Sequence, residues 1–345
     1  MDMAARDWFG FALLLAVLCA ASPARAQQST RTSASIGGLA ALRKAAAQGD
    51  AKAEFTLGGL YYHGRSVPQD YAKAAYWWQV AAAQRFAKAE FTLGWLYYHG
   101  RGVPQDYAKS AYWDAKAAAQ GNASAEFMLG WDYAYGQGVP QDYAKAGHWY
   151  VKAAAQGNAD AEYNLGVDYD SGQGVPQDYA KAAYWTAKAA AQGYADAEFN
   201  LAADYDAGQG VPQDYAKAAY WYAKAAAQGY ADAEFNLAVD YDTGQGVPQD
   251  YAKAAYWYAK VAAQGDAKAE YNLGALYANG QGVPRDYVEA YKWMILAKAS
   301  SAPASDTYKN ASTSMGTLAS RMTPAQIAGA QAAAARWWRT RGKKP

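Results

Sequence analysis

The chain has 345 residues, 52% of them hydrophobic and 18% charged, with a formal net charge of +1 at pH 7. That balance excludes a polybasic nucleic-acid binder and gives no overall pull towards acidic substrates. With 13 Trp, 31 Tyr, 8 Phe and a single Cys, the composition departs from that of an ordinary globular enzyme and points to one repeated array rather than separate domains.

Residues 9–21 form an apolar run of 13, followed by Ser22-Pro23 and then Ala24-Arg25-Ala26, the small-x-small pattern of a signal-peptidase site. Residues 1–26 are therefore expected to be a signal peptide cleaved after Ala26, with residues 27–35 as a flexible linker and the mature chain periplasmic or extracellular. Asp2 and Asp7 offset Arg6, so positive charge ahead of the run is weak. The run is too short to span a hydrocarbon core of about 30 Å, and no later segment is continuously apolar for about 20 residues, so no stable membrane insertion is expected. Cys19 lies inside this leader and follows Leu18, not the small residue that lipoprotein processing needs, which leaves the mature chain without a thiol.

A helix over residues 36–48 is expected to cap the N-terminal end. Beyond it, Pro68, Pro104, Pro140, Pro176, Pro212, Pro248 and Pro284 recur every 36 residues, each after Val, giving seven uninterrupted repeats over residues 49–300. Residues 193–228 and 229–264 agree at 33 of 36 positions, so neighbouring units are internal copies. In the unit 157–192, Gly157 and Gly193 suit the positive φ that ends a helix. Helix A is predicted from about Ala159 to Tyr169, with Asp160 and Glu162 in its first turn and an apolar stripe of Ala161, Leu165 and Tyr169. The Ser171-Gly172-Gln173-Gly174 turn and Pro176 stop it, and Asp178 is the predicted N-cap of helix B, which runs to about Gln192. Small residues such as Gly166 and Ala190 admit close helix approach, and Trp185, Trp221 and Trp257 are expected to pack between layers rather than to stack on carbohydrate. One helix pair cannot bury its own stripe, so the fold class predicted is all-α, an α-α superhelix of seven helix-turn-helix repeats.

At the far end, residues 300–305 read as a Ser/Ala/Pro linker. Thr323-Pro324-Ala325-Gln326 has the signals of a capped helix start, and the helix through Trp337 and Trp338 is expected to seal the array. Residues 301–345 thus comprise capping helices and a basic tail.

The recurrent Ala-Glu-x-x-Leu-Gly-x-x-Tyr, Gly-x-Gly-Val-Pro and Asp-Tyr-x-Lys-Ala-x-x-Trp-x-x-Lys-Ala-Ala segments over residues 36–299 resemble the Sel-one-like repeat, a relative of the tetratricopeptide repeats. The resemblance implies protein-binding scaffolds, adaptors and signalling regulators, exported bacterial ones among them. A cysteine-rich branch is linked to β-lactam binding or hydrolysis; these repeats contain no cysteine and depart from it.

Chemistry-bearing motifs are scarce. His63 and His99 hold equivalent repeat positions, His148 lies on a helix B, and none sits in a ligand motif. No nucleophile elbow, phosphate-binding loop or zinc-protease signature occurs, so neither a catalytic group nor a cofactor is expected.

The informative departure is acidic. Asp132, Asp168, Asp204 and Asp240 replace, in four central units, the leucine found as Leu60, Leu96 and Leu276. Asp170, Asp206 and Asp242 follow two residues later, at the helix end that disfavours negative charge. Residues 157–264 carry 15 acids and 6 lysines, a net −9, whereas residues 301–345 carry seven basic groups and one acid, a net +6. With Tyr169, Tyr205 and Tyr241, the aspartates could line a stripe for a basic protein or peptide. They could equally be a solvated face paired with lysines such as Lys181 and Lys188 and multiplied by copying, or, at Asp168-Tyr169-Asp170-Ser171-Gly172, an incomplete calcium loop. The function expected is non-catalytic protein or peptide binding. Polysaccharide or peptidoglycan binding and an enzyme of unrecognised type are the alternatives, and the oligomeric state is left open.

Overall fold

The computed structural model describes residues 28–340, in which 17 helices and no strand occur among the described residues. Helix α1 (Gln28–Ala47) is followed by α2 (Ala51–His63), α3 (Tyr71–Ala83) and α4 (Ala87–His99). Next come α5 (Tyr107–Ala118), α6 (Ala123–Tyr135), α7 (Tyr143–Ala155), α8 (Ala159–Ser171), α9 (Tyr179–Ala191), α10 (Ala195–Ala207), α11 (Tyr215–Ala227), α12 (Ala231–Thr243) and α13 (Tyr251–Gln264). The chain closes with α14 (Ala267–Asn279), α15 (Tyr287–Ser300), α16 (Asp306–Ala319) and α17 (Pro324–Thr340). The fold is the all-α solenoid class read from the repeat. The helices group into two compact units, one ending at Asp106 and one beginning at Tyr107. Within the second, each A helix packs on the B helix of its own repeat, and each B helix on the next A helix.

Each boundary has a local cause. Asn158 Oδ1 accepts the Ala161 amide at 2.8 Å and caps α8, and Gly172, at φ 74°, ends it by donating its N–H to Asp168 O at 2.8 Å. Asp178 caps α9 as expected: its side chain accepts the Lys181 amide at 3.1 Å and pairs with the Lys181 ammonium at 3.1 Å. The intervening loop is tied back onto α8 by the Asp178 amide on Tyr169 O at 2.9 Å and by Gln177 Nε2 on Asp170 O at 2.6 Å. Carbonyls that α8 itself leaves unsatisfied are thereby used. In the same turn of the next repeat Gly210 has φ 71°, and a Cβ there would run into the Tyr179 carbonyl, so both conformation and space require glycine.

Packing follows a small-against-large rule. A Cβ on Gly130 would lie 2.7 Å from the Tyr150 ring, and Tyr150 is 1% exposed. Buried Glu162 in the first turn of α8 accepts Gln192 Nε2 at 2.8 Å and pairs with Lys188 at 3.4 Å, and Glu234 repeats this with Gln264 and Lys260 at 3.2 and 2.6 Å. Trp221 and Trp257 pack half-buried against interior clusters, and Lys188, Lys224 and Lys260 lie 4.8, 4.9 and 4.7 Å above Trp185, Trp221 and Trp257. The preceding Tyr184, Tyr220 and Tyr256 stand out into solvent.

Helix α1 begins at Gln28, so the stretch 28–35 expected as a linker is helical and continuous with the predicted cap. Leu39, Leu42, Ala45 and Ala46 pack on Ala53, Leu57, Leu60 and Tyr61. At the start of α17 the Thr323 amide donates to Gln326 Oε1 at 2.8 Å and the Gln326 amide to Thr323 Oγ1 at 3.3 Å, completing the box read from sequence. Trp337 packs edge-on against Trp293 with centroids 5.2 Å apart, and Trp338 is 49% exposed. The signal peptide, its cleavage point, Cys19 and residues 341–345 of the tail lie outside the described residues.

Candidate functional site

Asp132, Asp168, Asp204 and Asp240 each continue an i, i+4, i+7 series that faces inward: Ala125, Leu129, Asp132; Ala161, Leu165, Asp168; Ala197, Leu201, Asp204; Ala233, Leu237, Asp240. The stripe thus includes the aspartate beside the predicted Tyr169, which is equally half-buried and whose counterparts Tyr205 and Tyr241 pack on core clusters. Asp132 is 1% and Asp240 7% exposed, and Asp168 and Asp204 are half-buried. Burial pushes all four carboxyls up to about 7, with the neighbouring charges of Asp170 and Asp206 adding to Asp204 and Asp240 respectively. One oxygen of Asp132 and one of Asp240 are buried without a hydrogen-bond partner. The lysines named as counterions are engaged elsewhere, Lys181 with Asp178 and Lys188 with Glu162. Asp132 and Asp240 are thus removed from solvent, Asp168 and Asp204 only in part, and Lys181 and Lys188 pair with other carboxylates.

Facing this row from the B helices is a set that the sequence reading missed. Positions 114, 150, 186, 222 and 258 hold Asp114, Tyr150, Thr186, Tyr222 and Tyr258, all buried. Tyr150 lies in the fields of Asp132 and Asp168, and Tyr222 in those of Asp204, Asp206 and Asp240, so each phenol stands between aspartates of successive repeats. Burial, followed by these charges, raises the Tyr222 phenol to about 12 and pushes Tyr150 higher still. Tyr258 donates to Asp242 Oδ2 at 3.3 Å. Asp114 is 1% exposed, receives one bond from Ser110 at 3.3 Å, and is held well above the usual carboxylate range by burial and by Asp132. Its Oδ1 and the Tyr150 hydroxyl have no partner. The available signal was the mixture of ring and polar residues at one 36-residue register.

The second acidic row is satisfied internally. Gln209 Nε2 donates to Asp170 at 2.7 Å and Gln245 Nε2 to Asp206 at 3.0 Å, each from the following repeat, which offsets the unfavourable helix end. Tyr169, Tyr205 and Tyr241 are covered by Lys181, Lys217 and Lys253 at 5.2, 5.0 and 4.9 Å from their centroids. They join the candidate stripe as packing, with one ring face already occupied. His63 and His99 are exposed helix ends stacked edge-on to Tyr62 and Tyr98. Among the described residues no group of three or more His, Cys, Asp or Glu side chains is placed to hold a metal, the Asp168–Gly172 segment included.

The Sel1 repeat pattern matches residues 51–86, 87–122, 123–158, 159–194, 195–230, 231–266 and 267–300. The chain belongs to the Sel1 repeat family. Its Sel1 array is similar to that of a Sel1 repeat protein from Oxalobacter formigenes, with 35% identity, 82% of this chain and 80% of that one covered, and a TM-score of 0.60. It is also similar to c5321, a protective antigen of uropathogenic Escherichia coli with an SLR fold, at 28% identity, coverage of 88% and 89%, and a TM-score of 0.52. No curated protein matches the chain. Sel1 solenoids are typically protein-interaction scaffolds and generally non-catalytic. Among the described residues of this Sel1 array, no helix is long and apolar enough to cross a membrane.

Proposed function

We propose that the chain is an exported, non-catalytic scaffold that binds a basic protein or peptide along the ladder of Asp132, Asp168, Asp204 and Asp240 with Tyr150 and Tyr222. The observation that carries this is the pair of buried, unpartnered carboxyl oxygens on Asp132 and Asp240 at the ends of the ladder. A desolvated carboxylate without a partner is destabilising, and a cationic group delivered by a ligand supplies both the missing charge and the missing donors. Half-buried Asp168 and Asp204 are the points of entry. The export half of the proposal rests on the leader-like residues 1–26 and is checked by intact mass of protein recovered from the envelope: a chain beginning at Gln27 supports it, and retained Met1 overturns it.

The binding half is tested by calorimetric titration of residues 27–345 with an oligolysine peptide and an uncharged peptide of equal length, and by capture from envelope and culture-supernatant extracts. Both are repeated with Asp168→Asn, Asp204→Asn and Asp240→Asn combined, with helicity checked by circular dichroism. Loss of at least about 10-fold in affinity, about 1.4 kcal/mol, is expected for the triple variant. Unchanged affinity would overturn the reading. A second reading, polysaccharide binding, is favoured by Tyr112, Tyr184, Tyr220 and Tyr256, 53 to 59% exposed at one repeat position. It predicts glycan retention that survives the aspartate changes and fails when these tyrosines become serine.

A further inference from the structure

The basic groups of the C-terminal region do not share one fate. Lys309 pairs with Asp306 at 3.8 Å, and Arg321 is hydrogen-bonded to Tyr287. Arg336 and Arg339 are exposed on α17 and form no ion pair among the described residues, and Arg341, Lys343 and Lys344 follow with no acid between 336 and 344. Exposed Trp338 lies in the middle of this run. The segment is a cationic stretch with an aromatic residue in it, and the same unit carries its chemical complement, residues 157–264 at a formal net −9, where one buried carboxyl oxygen of Asp240 lacks a partner.

We infer that the aspartate ladder receives residues 336–344 of a second copy of this chain, which deepens and rests on the peptide-binding reading above. Charge complementarity selects the occupant, and chain reach selects the copy. Trp337 is pinned against Trp293 of α15, and Lys344 lies four residues beyond Thr340, which allows about 14 Å of extended chain at most. Helix layers are spaced by roughly 8–10 Å, so a molecule's own tail reaches no further than the last rung, Asp240, and leaves Asp168 and Asp204 uncovered. A neighbour's tail can lie along the half-buried Asp168 and Asp204. Arginine donors suit half-buried carboxylates such as Asp168 and Asp204. The contact is heterologous, tail of one copy to ladder of the next, so it propagates as an open series instead of closing as a two-fold dimer.

The test uses three full-length mature chains at low ionic strength, roughly 20 mM salt, where exposed charges are weakly screened. They are the parent, a ladder variant (Asp168→Asn, Asp204→Asn, Asp240→Asn) and a tail variant (Arg339→Gln, Arg341→Gln, Lys343→Gln, Lys344→Gln). Sedimentation velocity over a concentration series is expected to show an open association series for the parent, with at least about 10-fold weaker association for each variant alone. A mixture of the two variants, one supplying an intact tail and the other an intact ladder, is expected to stop at a 1:1 dimer. A monomeric parent, a tail variant that associates as tightly as the parent, or a mixture that fails to pair would each overturn the inference. A monomeric parent that nevertheless binds oligolysine through its aspartates overturns self-recognition alone. Loss of oligolysine binding as well would overturn the peptide-binding reading itself.

Discussion

Asp114 on α5 and Asp132 on α6 are both 1% exposed, and the Asp132 charge pushes the Asp114 carboxyl further up than burial alone does. Among the described residues neither acquires a cation: the Ser110 hydroxyl donates to Asp114, and one oxygen of each aspartate is unpartnered. Two carboxyls so placed do not readily ionise together.

That relation fixes the sign of a pH effect. The ladder carboxyls move from an ordinary value of 3.8 in the unfolded chain to about 7 in the folded one. The folded state then holds protons that the unfolded state releases between these values, so their contribution is complete below about pH 4 and declines as pH rises through about 7. Thermal unfolding at pH 5.5 and pH 8 is expected to give the lower midpoint at pH 8 for the parent, with a smaller difference after Asp132→Asn and Asp240→Asn. A midpoint that rises with pH over that interval would contradict the assignment.

Asp132→Leu restores the residue found as Leu96 and Leu276, which are 0 and 3% exposed. Replacing a buried, unpartnered carboxyl by a packed alkyl group should stabilise the chain by about 1–3 kcal/mol at pH 8. Urea midpoints report it, and a destabilised variant would mean that the carboxyl has an unrecognised partner.

Gly130→Ala should act in the opposite direction. Its new methyl would sit 2.7 Å from the Tyr150 ring, and overpacking of this kind destabilises by about 1–3 kcal/mol. Urea midpoints of the variant and the parent measure the loss.

Ser66 and Arg85 adopt φ 62° and 61° at repeat positions where other units carry glycine, such as Gly102 and Gly121. Ser66→Gly and Arg85→Gly are each expected to raise stability by up to about 1 kcal/mol by relieving left-handed backbone strain. Equilibrium unfolding of the single and double variants measures this directly.

Much of the fold is legible because 36-residue copies multiply each local signal. Asp178 as a cap, Gly172 as a stop and Thr323 with Gln326 as a capping box are chemical choices made within a few residues, and the structure realises them. The sequence stripe named Tyr169 and left out Asp168 because an aspartate was not expected to face inward, although i+7 from Ala161 places it there as well as i+8 places the tyrosine. Tyr150 and Tyr222 escaped notice for a different reason. Their role depends on aspartates contributed by the following repeat, a contact that spacing within one helix cannot show. Helix α1 extends to Gln28 although Ser and Thr are abundant there, so local composition alone misjudged that boundary.

The ladder's capacity to take up a cationic partner is tested most directly by counting protons. Calorimetric titration of residues 27–345 with oligolysine at pH 7, in two buffers of different ionisation enthalpy, measures protons exchanged on binding. Carboxyls near their midpoint at about 7 must ionise to receive a cation, so net proton release on the order of one per complex is expected, falling when Asp168, Asp204 and Asp240 are changed to asparagine. Binding with no proton release, unchanged in that variant, would place the cation on ordinary solvated carboxylates and contradict the account.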